Sequence, residues 1–148
     1  MVAKVERPLS PHLSVYRRGV AMMASITHRI TGFVMATAGM LMLLWWLSAI
    51  GGGEESYTSF ISYVTGSGLG DDATTLQHVS KWFFRLLAFG VTFSFFQHLF
   101  SGIRHLMMDM GAGFELNANR TSAWLVFIAA FTATGIVALV AVNYMIGA

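Results

Sequence analysis

The stretch ITGFVMATAGMLMLLWWLSAI, residues 30–50, contains no charged residue. Crossing a hydrocarbon core about 30 Å thick takes roughly 20 apolar residues in a helix, so this segment alone reads as a membrane span. The rest of the 148-residue chain agrees: 55% of it is hydrophobic and only 11% charged, against about a quarter charged in soluble domains. A cleaved signal peptide is not expected. The apolar run exceeds the usual signal core of about 7–15 residues, and no small-residue cleavage site follows it. Cysteine is absent, which excludes disulfide frameworks, zinc–thiolate sites, iron–sulfur ligation and thiol nucleophiles. The nine lysines and arginines are not clustered, so no nucleic-acid partner is expected.

Outward from that segment, two further spans emerge. Residues 86–103 are apolar and bracketed by Arg85 and Arg104, and Trp82, Phe83 and Phe84 extend the span to 82–103 if Arg85 snorkels or faces protein. The third is residues 124–146, in a C-terminal region with no charge after Arg120. The expected fold is therefore an all-α integral membrane protein of three transmembrane helices. It forms one domain: residues 1–29 cytoplasmic, 30–50 first span, 51–81 outer loop, 82–103 second span, 104–123 cytoplasmic loop, 124–146 third span. Lys4, Arg7, Arg17, Arg18, Arg29, Arg104 and Arg120 fall on one side, against Lys81 and Arg85 on the other. This bias places the N-terminus in the cytoplasm and the C-terminus in the periplasm. Tyr16 and Trp124 suit the inner interface; Trp45, Trp46, Trp82 and Tyr144 suit the outer one. The outer loop is Gly/Ser-rich around one amphipathic piece, residues 56–64, expected to lie on the bilayer.

Chemistry concentrates in the histidines. His12 and His78 read as surface residues. On a helix, Ser94, His98, Ser101, Gly102, His105 and Asp109 share one face. A polar stripe in a membrane helix faces protein or a cofactor rather than lipid. Gly102 removes a side chain one turn after His98 and would let something flat approach, and haem is flat with imidazole as a common axial ligand. His98 and His105 cannot clamp one iron, because seven residues rise about 10.5 Å whereas opposed axial nitrogens lie about 4 Å apart. His98 sits roughly 9 Å inside the boundary marked by Arg104; His105 lies at that boundary, where a haem propionate or water could meet it. Spacing alone also permits a His98 that merely hydrogen-bonds a neighbouring helix. A six-coordinate haem would need its second ligand from another chain. Before the first span, Ser25, His28 and Arg29 share a helical face. A hydroxyl and a guanidinium can hydrogen-bond a quinone carbonyl; helix capping with a basic anchor is the plainer alternative.

Taken together, RPLSPHLSVYR (7–17), SITHRITG (25–32) and HLFSGIRHLMMDMG (98–111) resemble the larger cytochrome b membrane-anchor subunits of succinate dehydrogenase (succinate:ubiquinone oxidoreductase, respiratory complex II). The resemblance covers nearly the whole chain and rests on the patterns S-x-x-H-R-x-[ST]-G and H-x-x-x-G-x-R-H-[LM]-x-x-D, each correctly placed against the spans. It implies a four-subunit assembly with a flavoprotein subunit, an iron–sulfur subunit and a smaller membrane anchor, the two anchors packing into one helical bundle. It also implies one haem b shared with the smaller anchor, and ubiquinone as electron acceptor. By that resemblance His98 is the haem axial ligand; Gly102, read from its missing side chain, is expected to give the ring clearance. His28 and Arg29 match positions near the propionates, and Ser25 and Arg29 match positions at the ubiquinone site; His105 matches a histidine that is not the ligand, in keeping with its expected place at the boundary in the propionate vicinity. Arg104 and Asp109 match positions near that region without an assigned role, and no residue of the chain is catalytic by itself. A bacterial inner membrane is favoured over a mitochondrial one, since no Arg-rich, acid-poor presequence precedes the motif and Glu6 opposes one. The alternatives are a fumarate reductase anchor working with a quinol, or a non-redox membrane scaffold subunit.

Overall fold

The structure, a computed structural model, describes residues 18–66 and 74–147. The first motif, at residues 7–17, and His12 lie outside the described residues. Every regular element among the described residues is helical: α1 (Val20–Val34), a π-helical turn (Met35–Gly39), α2 (Met40–Gly51), α3 (Glu54–Thr65), α4 (Thr75–Asp109) and α5 (Leu116–Gly147). Three helices are long and apolar enough to cross a membrane: the run Val20–Gly51, Thr75–Asp109 and Leu116–Asn143. The chain is thus an all-α protein with three such helices, as expected from its apolar runs.

The helices outlast their apolar limits. The 35 residues of α4 rise about 52 Å, well beyond a 30 Å hydrocarbon core. Arg85 and Arg104 therefore lie inside helix rather than at its ends. Thr74 starts α4 with a capping box, its backbone N–H donating to Gln77 Oε1 at 2.8 Å while Gln77 N–H donates to Thr74 Oγ1 at 3.4 Å.

Central α4 packs against α1, α3 and α5, and α1 also touches α5. Close approach is possible because the seams are made of small residues: Ala24, Ala123, Ala130, Ser101 and Thr134 are all essentially buried. Large side chains point the other way, with Phe33, Leu86 and Leu139 each about two-thirds exposed. Such an apolar exterior suits lipid or a partner helix, not water.

The amphipathic piece between the first two spans is α3, and it docks back onto the bundle. Its Phe60 is buried edge-on against Trp45 of α2, with ring centroids 4.7 Å apart, and Trp45 in turn meets Phe84 of α4 at 5.2 Å. Arg85 faces protein: its Nη2 donates to the Thr65 carbonyl at 2.6 Å, capping the C-terminus of α3, and its guanidinium lies 5.5 Å from the Trp82 ring centre.

Candidate functional site

The π-helical turn divides the first span, and below it α1 carries the SITHRITG motif against α4. There the rings of His28 and His98 stack, with centroids 4.0 Å apart and planes 11° from parallel. His105, two turns along α4, tilts toward the same His28 ring at 5.2 Å. His98 Nδ1 lies 3.1 Å from the His28 carbonyl oxygen. A carbonyl only accepts, so Nδ1 carries the proton and, in the neutral ring, Nε2 carries the lone pair. The same carbonyl accepts a second bond from Thr31 Oγ1 at 3.0 Å, and Thr31 is itself buried.

A glycine of α1, Gly32, lies against the His98 ring. A Cβ built on Gly32 of α1 would stand 3.0 Å from His98 Cε1 and 3.3 Å from its Nδ1. A Cβ on Gly102 would meet only His28 Cε1, at an ordinary 3.9 Å. Gly102 thus borders His28, and it is Gly32 that lets α1 approach the His98 ring. Gly32 had a signal in the motif, as the residue one turn after His28, but nothing in α1 by itself says which α4 side chain it would meet.

The polar stripe on α4 is also turned from where periodicity alone set it. The buried members are Ser94, Gln97, Ser101 and Arg104, a face rotated by roughly 70° from the one through His98 and Asp109. Asp109 is exposed. The histidines sit on the flank of the buried stripe and are half-buried. Arg104 does not point to open solvent: its Nε donates to Ser122 Oγ at 3.1 Å and its Nη2 to Asn119 Oδ1, joining α4 to the start of α5. Gln97 is fully enclosed, and neither of its amide atoms has a hydrogen-bond partner among the described residues.

Ser25 is half-buried and Arg29 exposed, one helical turn apart on α1. The structure does not bring them into the histidine cluster; they occupy the adjacent outer face, open to whatever packs there.

The residues fit a haem on one point of chemistry. An axial imidazole commonly donates its second N–H to a backbone carbonyl, which fixes tautomer and ring orientation, and His98 makes that bond to His28. A bare metal is a poorer match, since no group of three His, Asp or Glu side chains among the described residues is arranged to hold one.

Comparison with known proteins follows the same lines. Residues 3–137 match the family described as succinate dehydrogenase/fumarate reductase transmembrane subunit. The chain is 31% identical over 129 residues to the succinate dehydrogenase cytochrome b556 subunit of Rickettsia felis, covering 87% of this chain and 88% of that one. It is 34% identical over 126 residues to the cytochrome b556 subunit of Paracoccus denitrificans, covering 84% and 85%. The cytochrome b560 subunit of Reclinomonas americana is 31% identical over 131 residues, covering 88% and 83%.

Proposed function

The chain belongs to the succinate dehydrogenase/fumarate reductase transmembrane subunit family, and from that premise we propose that it is the anchor that holds haem b and helps form the ubiquinone-reduction site of succinate dehydrogenase. The observation that carries this reading is the bond between His98 Nδ1 and the His28 carbonyl, which leaves Nε2 as the nitrogen with a lone pair.

His98 would hold the haem iron for this chain through Nε2, and a smaller anchor subunit would supply the ligand that this chain lacks. Bound there, haem b supplies a one-electron store beside the electron path from the iron–sulfur subunit. His28, Arg29 and His105 hold the propionate side, where a guanidinium and imidazoles suit carboxylates. Gly102 leaves the α4 backbone bare between His98 and His105, although in this structure its nearest neighbour is His28.

Ubiquinone needs two electrons and two protons. Arg29 orients and polarises one carbonyl but cannot give up its proton, since a guanidinium does not deprotonate in proteins. Ser25 donates a hydrogen bond to the same headgroup. The protons therefore come through water or an acidic group of a partner. The flavoprotein and iron–sulfur subunits dock at the basic end of the bundle, and the assembly lies in a bacterial inner membrane with the N-terminus in the cytoplasm. The same residues serve a fumarate reductase anchor, where a quinol gives its electrons up.

The test is a reduced-minus-oxidised absorption spectrum of the purified assembly. His98→Ala abolishes or displaces the b-type band; an unchanged band refutes the ligand assignment. A wild-type assembly with no such band would favour the non-redox scaffold.

A further inference from the structure

On the side of the bundle where α1 meets α5 lies a groove of about 640 Å³, the volume of a ligand site rather than a packing defect. Val20 and Met23 of α1 line one wall, and Phe127, Ile128 and Phe131 of α5 the other. Arg18 and Trp124 border this groove and also a second recess of about 420 Å³, whose remaining lining includes Gly19, Asn119 and Arg120. An apolar channel therefore opens into a recess with two guanidinium groups, and an interfacial tryptophan stands where the two meet.

We propose that this groove seats an anionic phospholipid, its phosphate held by Arg18 and Arg120 and an acyl chain lying along Met23, Phe127 and Phe131. Charge selects the headgroup. No carboxylate among the described residues pairs with either arginine, and neither α1 nor α5 has an acidic residue in its first turn. Glu115, just before α5, does not line the recess. Basic pockets between membrane helices suit anionic headgroups for this reason. Trp124 is about half exposed and is placed where indole rings favour the headgroup level. Free inorganic phosphate is the lesser fit, because it would leave the apolar groove uncovered. Ubiquinone is also the lesser fit, because Val20 and Met23 lie on roughly the opposite face of α1 from Ser25 and Arg29. The site is thus separate from the haem and quinone region and does not rest on that reading.

The experiment uses the chain purified with its accompanying subunits and stripped of lipid in a neutral detergent. Phosphatidylglycerol, phosphatidylcholine and inorganic phosphate are each titrated while the thermal midpoint is followed. Phosphatidylglycerol with brominated acyl chains is titrated separately while tryptophan fluorescence is read. Phosphatidylglycerol raises the midpoint and quenches fluorescence, and Trp124→Phe loses the saturable part of that quenching. Arg18→Gln with Arg120→Gln weakens the phosphatidylglycerol titration about 25-fold, at roughly fivefold for each basic residue, with the haem band unchanged. Equal protection by phosphatidylcholine or by phosphate alone would overturn the proposal. So would quenching that survives in Trp124→Phe, or no quenching at all, the result expected if residues 1–17 or a partner helix fill the groove.

Discussion

His28 engages His98 twice: their rings stack 4.0 Å apart, and the backbone oxygen of His28 lies 3.1 Å from His98 Nδ1. One residue of α1 thus sets both the tilt of the His98 ring and its tautomer. Any shift of α1 along α4 is transmitted to that ring directly.

Gly32 is the steric check on that coupling. Gly32→Ala forces a Cβ to within 3.0 Å of His98 Cε1, and overpacking of this kind costs about 1–3 kcal/mol. A lowered thermal midpoint of the purified assembly and a displaced haem band are expected. Gly90→Ala is the control: a Cβ there meets nothing within 4 Å, so helix propensity predicts a neutral change or a gain of about 0.5–1 kcal/mol. Equal effects of the two substitutions would contradict the close approach at Gly32.

Gln97 tests the interior. Its enclosed amide lacks partners among the described residues, and an unsatisfied buried polar group costs about 1–3 kcal/mol. Gln97→Leu keeps similar bulk and removes that cost, so the melting temperature should rise. A fall of comparable size would mean that the amide is paired in the assembled protein.

Arg104, only 7% exposed, binds Ser122 and Asn119 across two helices. A double-mutant cycle of Arg104→Ala with Asn119→Ala should return a coupling of about 1.5–3 kcal/mol, as for hydrogen bonds to charged groups. Arg104→Lys should recover little of it, because a single ammonium lacks the fork that reaches both partners. Additive single effects would show that the bridge contributes nothing.

For Arg29, exposed on α1, the expected outcome is kinetic. Arg29→Ala should lower ubiquinone reduction at least about tenfold, the effect of losing one charged hydrogen bond. Succinate oxidation with a soluble dye should persist. Loss of both activities together would point to failed assembly rather than a quinone contact.

The three spans were legible because hydropathy is a one-dimensional property: residues 30–50 need no knowledge of their neighbours to be read as apolar. Helix contacts are not one-dimensional. The stripe through His98 and Asp109 follows from 100° per residue, but which part of it is buried depends on where α5 lies, and that brought Gln97 and Arg104 inward and left Asp109 exposed. Helical rise alone separates His98 from His105. The stacking of His28 on His98 and the role of Gly32 needed a second helix, which no periodicity in α4 supplies. Likewise α3 has the amphipathic pattern of a surface segment, and only the aromatic cluster of Trp45, Phe60 and Phe84 tells that its apolar face turns inward.

The Arg104 bridge bears on how the chain is built into a bilayer. Asn119 and Ser122 are neutral, so the arginine keeps its full positive charge while losing its freedom to move. An unattached arginine can ride with its helix as insertion proceeds. One tied to both arms of the turn, across residues 110–115, makes α4 and α5 a hairpin with a charged closed end, which is costly to drag through hydrocarbon. The side chain that clasps the two helices thereby also makes their shared corner a charged stop that resists passage through the bilayer.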